Sequence, residues 1–459
     1  MVPFNFVGPA YSGRSTNYSA QKLINLYLET GKGKSNLQLI GSPGLSTPLV
    51  ELGDPIRGCK RISDDVSVVV SGSTVYRVNS DFTTAVRGFI SDDSRPVRIA
   101  TNGIDVVVAS AGNLYAITDA GSVFLRTASS VDEMDGIFLI TEPGTGNFFV
   151  SDVNSTTIDA LSFSVANGSP DNLVTLLVDH REVWLFGTNT IEVWYNSGVG
   201  VPPFARISGA FIETGCAAKD SVQKLANTVF WLGSDERGKG TVWSAQGYVP
   251  KKISDHAIEY HIGQWTTLDD AEAFVYTQEG HGFYVLTSPS SKQTWAFDVT
   301  TGEWHQRAYL EANGDLNRIR PRAHMFFANK NIVGDWTNGN LYEYSLNTYS
   351  DNGNPLPRIR SCMTLQEPGM LRQRNKSFRL DMDTGVGLTT GQGSDPQAML
   401  RWSKDGGKTW SASIWRSMGK IGHYGWRTMW RRIGGGDRTV LEVTITDPIP
   451  VAMTGAVYG

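Results

Sequence analysis

Cysteine is scarce in this chain of 459 residues: Cys59, Cys216 and Cys362 are the only three, and they lie far apart. An odd, scattered set excludes a disulfide framework and a cysteine zinc site, and it fits synthesis in a reducing compartment. Charge is also sparse, at 19% of residues against the usual quarter, which excludes a disordered polyelectrolyte. Lys plus Arg number 41 and Asp plus Glu 45, a net −4, so the chain as a whole is no polybasic binder of nucleic acid. No apolar run reaches the roughly 18 residues of a membrane span. The opening Met1-Val-Pro-Phe-Asn-Phe6 has no charged region followed by an apolar one, so no signal peptide is expected. Long stretches with a 3.6-residue period are missing too; the best helical candidate is 254–264, with Ser254 or Asp255 placed to cap it.

What is abundant points to strands. The chain carries 13 Trp, 16 Tyr, 19 Phe and 49 Gly, alongside many Val and Thr. Aromatic and β-branched side chains suit a pleated, half-buried surface, and Gly and Asn-Gly supply the positive φ of tight turns. One unit recurs: an apolar strand, a turn, and a second strand with an aromatic. It occupies 66–78 and 105–117, then 173–195, 228–249, 273–304 and 323–346, with a less regular version at 136–163. Its spacing of about 36 to 52 residues is that of propeller blades or another β array. Blades ringed around an axis cover one another's faces and leave only short edges exposed. A pair of β-sandwiches with long loops also yields many short strands. The expectation is an all-β chain in three parts. Residues 1–50, rich in Pro and Gly, form an extended N-terminal arm; 51–350 form a β-propeller-like array of about six to seven blades; 351–459 form a C-terminal β domain behind the linker 351–357.

Charge is segregated along the chain. Residues 358–438 hold 15 Lys or Arg and 6 Asp or Glu, net +9, which leaves −13 on the remainder. Two surfaces with different partners are implied. Motifs for chemistry fail one by one. Gly33-Lys34-Ser35 resembles the end of a phosphate loop, but Leu28 stands where that motif needs Gly. His256 and His261 flank Glu259 at a spacing of five, which turns them away from each other on a helix, and no H-E-x-x-H exists. Gly41-Ser42-Pro43-Gly44 is one residue short of a nucleophile elbow. The carboxylate pairs Asp64-Asp65, Asp92-Asp93 and Asp269-Asp270 are adjacent, as turn residues are, and do not converge on one bond. No catalytic, metal or cofactor residue is assigned.

Two stretches of the C-terminal part remain. Ser403-Lys-Asp405-Gly-Gly407-Lys-Thr409-Trp410 matches the Asp box of sialidases and other β proteins. Ser403, Asp405, Gly407, Thr409 and Trp410 read as a structural hairpin in which Asp405 accepts N–H groups across the turn. Around it, five tryptophans (402, 410, 415, 426 and 430) interleave with Arg401, Arg416, Arg427, Arg431 and Arg432. This pattern fits three situations: stacking on single-stranded nucleic acid, a protein interface, or a solvated face over core tryptophans. The five arginines are the candidate protein interface.

Four stretches, in order, resemble one family. They are Asn25-Leu-Tyr-Leu-Glu29 with Leu39-Ile-Gly-Ser-Pro-Gly-Leu45; Asp179-His-Arg-Glu-Val-Trp-Leu-Phe-Gly187 running into Thr190-Ile-Glu-Val-Trp-Tyr195; Ile253-Ser-Asp-His-Ala-Ile-Glu259; and Trp402 to Trp410 with Trp430-Arg-Arg-Ile-Gly434. The set is similar to the packaged-DNA stabilisation proteins, or tail hub (nozzle) proteins, of short-tailed bacteriophages. The resemblance implies a propeller-like region and a structural protein that is not an enzyme and has no cofactor. It implies a ring, usually a homohexamer, below the portal-adaptor protein, extending the tail tube and retaining packaged DNA. Such a ring anchors a tail spike, fibre or needle, lets double-stranded DNA pass transiently, and sits in the virion tail after synthesis in the host cytoplasm. No single residue carries over, because the family's contacts are broad surfaces. With this reading, the acidic remainder is expected to line the DNA passage, which a basic wall would obstruct, and the basic segment to face an acidic protein. The alternative is a glycan-binding or glycan-hydrolysing phage tail protein. That needs a cluster of arginines, whereas residues 101–200 contain only Arg126 and Arg181. A third reading is a cellular propeller scaffold that never enters a virion.

Overall fold

The computed structural model describes residues 2–16, 19–33, 35–166, 168–234, 240–365 and 373–459. The recurring unit folds as four antiparallel strands in chain order. In blade one these are Ile56–Arg61, Val66–Ser71, Thr74–Asn79 and Thr84–Phe89. The second strand reads as the run Val68-Val69-Val70 because neighbouring blades cover both its faces, so no polar side is needed. Gly72, at φ +53°, makes the tight turn into the third strand. Blades two to six repeat the pattern over 98–127, 130–165, 173–212, 223–252 and 272–307.

Blade seven is made from both ends of the propeller. Pro321–Phe327, Lys330–Asp335 and Asn340–Ser345 supply three strands, and Gly44–Glu51 supplies the fourth, with Ser345 opposite Gly44 and Asn340 opposite Glu51. Because the chain passes from Glu51 straight into blade one, this strand locks the first blade to the last. Gly44 lies under the chain at 348–350, and a Cβ there would sit 2.4 Å from the Ser350 carbonyl oxygen and 2.5 Å from that of Thr348. The seven innermost strands surround a central cavity of about 270 Å³.

The C-terminal part is a sandwich of two sheets. One runs Met429–Gly436, Gln373–Met382, Ala452–Tyr458, Leu37–Gly41, Leu26–Thr30, with Val2–Phe4 also on Ala452–Tyr458. The other runs Leu23–Ile24, Arg358–Ser361, Val440–Ile445, Gln397–Ser403, Ile414–Ser417. Leu26, Leu28, Leu39, Phe378 and Met453 from the first sheet meet Leu400, Leu441 and Val443 from the second in one core, with Trp430 fully enclosed.

The expected division at residue 50 therefore does not follow the sheets. It cuts the strand Gly44–Glu51, and the residues before it are extended without being a separate arm. They build the sandwich through Val2–Phe4, Leu23–Ile24, Leu26–Thr30 and Leu37–Gly41, and then blade seven through Gly44–Glu51. Their Pro and Gly separate strands of two to eight residues; Tyr11–Ser12 and Leu26–Thr30 pair locally, with Ala20–Gln21 and Leu37–Gly41. But Val2–Phe4, Leu23–Ile24, Leu37–Gly41 and Gly44–Glu51 also find partners hundreds of residues away, which local composition does not register. The helical candidate forms as His256–Ile262, capped by Asp255, whose Oδ1 accepts the Ile258 N–H at 2.8 Å.

Propeller and sandwich share backbone hydrogen bonding. Leu23–Ile24 pairs in parallel with Glu303–Arg307, the outer strand of blade six, so blade six and one sandwich sheet form a single sheet of nine strands. Asn25, buried and at φ +51°, fastens the seam: its amide donates to the carbonyls of Ala308 (2.7 Å) and Pro357 (2.9 Å) and accepts from the Ala308 N–H (2.9 Å). Beside it lies a buried polar knot. Arg307 donates to His305 Nε2 (2.9 Å), Tyr276 Oη (3.0 Å) and Tyr344 Oη (3.2 Å), which ties blade six to blade seven.

The His305 ring must be neutral to accept from Arg307, and burial, helped by the charge of Arg307, holds its pKa well below the ordinary 6.5. A pKa lower in the folded state means that the unfolded chain takes up the proton first, so His305 removes stability as pH falls below 6.5. Asp351, pushed up to about 7 by burial, acts in the opposite direction. The two separate in a variant: between pH 7.5 and 5, the wild type should lose more unfolding free energy than His305→Gln, by about 1.4 kcal/mol per unit of pKa displacement traversed. Denaturant unfolding at both pH values reads this, and equal losses in the two proteins would refute it.

Candidate interaction surfaces

The Asp box is a hairpin fixed by side chains. Asp405 Oδ1 accepts from the Lys408 N–H (3.0 Å), the Thr409 N–H (2.9 Å) and Ser403 Oγ (2.6 Å), and Oδ2 accepts from Thr409 Oγ1 (2.6 Å). These bonds hold the Asp405 pKa well below the usual carboxylate range. Gly406 and Gly407 turn at φ +76° and +92°, and Ser403 Oγ accepts from the Gly407 N–H at 2.7 Å. Trp410 donates back to the Gly407 carbonyl (3.1 Å) and packs on the sandwich core. The polar side-chain groups of Ser403, Asp405, Thr409 and Trp410 are spent on the turn itself. Asp405→Ala should therefore speed amide exchange at Lys408 and Thr409 while the far strand Ala452–Tyr458 exchanges as before; unchanged protection at both turn amides would count against it.

The candidate arginines divide. Arg401 is half-buried, paired with the buried Glu442 and stacked 4.8 Å over Trp410, so it belongs to the sandwich wall. Arg416, Arg427, Arg431 and Arg432 are exposed and, among the described residues, have no carboxylate partner. They sit at one place in the fold. Both sheets begin beside blade six and end in the free edge strands Ile414–Ser417 and Met429–Gly436, at the pole farthest from the propeller. These edges touch: Trp430 Nε1 donates to the Ile414 carbonyl (2.7 Å) and Trp426 Nε1 to that of Ser417 (2.8 Å). Around the cations stand Trp415, Ile421, Tyr424 and Trp426, with Tyr424 77% exposed. Charged side chains on an edge strand guard against stray pairing; four bare large apolar groups beside them do not serve that end.

A second surface was not anticipated from the sequence. Successive strands of a blade run in opposite directions, so all first-to-second and third-to-fourth turns lie on one face of the disc. Asp119, Asp135, Asp152 and Asp159 sit in or beside those turns in blades two and three, and Asp179 and Glu182 flank one in blade four. The turns touch across blades: Arg181 pairs with Asp135, and Tyr248 Oη donates to Glu182 (2.5 Å). The same loops hold Ile104, Val153, Leu161, Val199 and Val201 out to solvent, Val201 at 82% exposure. One signal was available: residues 127–205 contain ten Asp or Glu and a single basic residue, Arg181.

The central cavity presents both charge signs, each already engaged with an opposite charge or a backbone group. Glu272 takes Arg318 (2.9 Å) and Arg322 (2.8 Å). Arg57 takes Asp93 (2.7 Å) and Asp92 (3.2 Å). Arg98 donates to the carbonyls of Lys219 and Val222, with Asp220 3.8 Å away. Among the described residues no three His, Cys, Asp or Glu side chains gather as a metal site requires, and no helix is long and apolar enough to cross a membrane. His261 is bound to Ser12 (2.9 Å) while His256 points to solvent near Glu259, so the helix does not bring them together. Asp92 and Asp93 belong to the cavity rim through Arg57, and Lys34 lies outside the described residues.

Solved structures resemble this chain only at low identity. The WD40 beta propeller domain of Doa1 is 10% identical over 66% of this chain and 96% of its own, with a TM-score of 0.39. The N-terminal domain of Nup159 is 11% identical over 70% of this chain and 98% of its own, at 0.40. The extracellular domain of the one-component system BT4673 from B. thetaiotaomicron is 11% identical over 85% of this chain and 58% of its own, at 0.40. None of the three bears on function. No curated protein matches in sequence. Family models are decisive: residues 2–349 match the beta-propeller of bacteriophage P22 Gp10, and residues 367–457 match its beta-sandwich. With both parts matched in order over nearly its whole length, the chain belongs to the phage stabilisation family of bacteriophage P22 Gp10.

Proposed function

We propose that the protein is a structural component of a short-tailed phage tail: a hub ring that extends the DNA passage below the portal-adaptor, retains packaged DNA and anchors a spike, fibre or needle. The observation that carries this reading is the family match across both domains. The geometry supports it. A closed propeller welded to a sandwich through one sheet is stiff, as a wall around pressurised DNA must be. The unpaired cations lie on the sandwich edge, which suits a protein contact; a bare cluster of that kind in the passage would hold DNA phosphates.

The glycan reading rests on the Asp box and on exposed aromatics. Against it, the cavity arginines are already engaged with Glu272, Asp92, Asp93 and carbonyls, which leaves no free cluster of guanidinium groups, among the described residues, within the cavity to grip a sugar carboxylate. Electron microscopy of the purified protein, alone and mixed with a portal-adaptor ring, tests the proposal. Ring-shaped assemblies are expected; isolated single copies in both samples would count against it, as would depolymerisation of host envelope glycan.

A further inference from the structure

We infer that the basic, aromatic edge of the sandwich docks on the acidic turn face of the propeller of a second copy of this chain. The inference rests on the ring reading and names its contact. Charge complementarity comes first: the edge presents the exposed Arg416, Arg427, Arg431 and Arg432, and the turns of blades two and three present the exposed Asp119, Asp152 and Asp159. Both surfaces also bare large apolar side chains amid their charges, Tyr424 and Trp426 on the edge and Leu161 and Val201 on the turns. A monomer has no use for such pairs of patches, and apolar cores ringed by opposite charges are the anatomy of an interface.

Geometry makes the contact intermolecular. The edge lies at the end of the sandwich, separated from blade six by the full width of both sheets. Blade three lies across the seven-bladed ring from blade six, so one copy cannot bring its own two patches together. The two surfaces differ, hence the contact is head-to-tail, and a head-to-tail contact closes into a ring when its rotation permits. Docking also gives Arg416, Arg427 and Arg431 the carboxylates they lack among the described residues.

Full-length charge reversals test this. Arg416→Glu/Arg427→Glu/Arg431→Glu alters only exposed edge groups, and Asp119→Lys/Asp152→Lys/Asp159→Lys only exposed turn groups. Unchanged melting of each variant establishes its fold. Mass photometry should show the wild type assembling, more weakly as salt rises, and each variant alone losing on the order of tenfold or more in self-affinity. Mixing the two variants should restore assembly, because each reversed patch then meets its complement. Assembly of either variant at wild-type concentrations overturns the contact and leaves the ring standing. Assembly that survives while binding to the adaptor is lost overturns it too, assigning the edge to the adaptor. Failure of the mixed variants to associate at all likewise overturns it, and a wild type that forms no ring even with the adaptor overturns the ring reading itself.

Discussion

A chain that starts at residue 52 is expected to yield no cooperatively folded protein. The loss removes Gly44–Glu51, leaving the strand Asn340–Ser345 unpaired and the propeller open between blades seven and one. It also strips Leu26, Leu28 and Leu39 from the sandwich core. Each buried leucine is worth about 2–5 kcal/mol, so these three alone approach the net stability of about 5–15 kcal/mol typical of a domain. A point variant separates the two roles. Gly44→Val pushes a side chain into the carbonyls of Thr348 and Ser350 and should displace only the closing strand. Hydrogen exchange should then rise at Asn340–Ser345 and stay slow at Val440–Ile445. A soluble, sharply melting truncated chain would show that ring closure contributes little.

The second large effect is expected at Glu272. Its carboxylate, fully enclosed, bridges Arg318 and Arg322 between blades six and seven at the cavity wall, and Arg318 also stacks 3.6 Å over Trp336. Glu272→Ala leaves two guanidinium groups without their counter-ion, and breaking a buried pair in this way costs about 3–5 kcal/mol. Replacing all three, as Glu272→Leu/Arg318→Met/Arg322→Met, should recover most of that loss, since the desolvation penalty goes with the charges. Denaturant midpoints of the two variants measure it. A triple variant as weak as the single one would mean that the triad is needed for packing rather than for charge balance.

Much of the propeller is legible because its information is local. The run Val68-Val69-Val70 with Gly72 behind it, and its counterpart near Val107 and Gly112, announce paired strands and their turn without reference to the rest of the chain. The Asp box is legible for the same reason: five positions within eight residues satisfy one another. The closing strand is not. Pro48 interrupts Leu45–Val50, and a proline argues against a strand except at an edge or a bulge. Gly44–Glu51 pairs with Asn340–Ser345 through two register shifts, the second beginning where Pro48 faces Tyr342.

Charge shows the same division. The basic excess over 358–438 is a count, but whether one arginine is free depends on a distant partner. Arg401 meets Glu442 only because Gln397–Ser403 and Val440–Ile445 are neighbours in the sheet. The acidic face escapes a linear reading because its carboxylates come one or two to a turn, and they gather only when strand direction stacks the turns on one side of the disc. Asn25 is read as part of a family-like stretch, yet its task, joining Ala308 to Pro357, becomes visible only with all three segments in place.

The central claim, that this protein acts as a rigid wall through broad protein contacts, is tested most directly by cryo-electron microscopy of the assembled tail at side-chain resolution. The account predicts copies arranged in a ring around the DNA passage, with Arg416, Arg427 and Arg431 packed against protein carboxylates. A map in which those arginines line the passage and contact DNA, or in which the protein is absent from the tail, would contradict it.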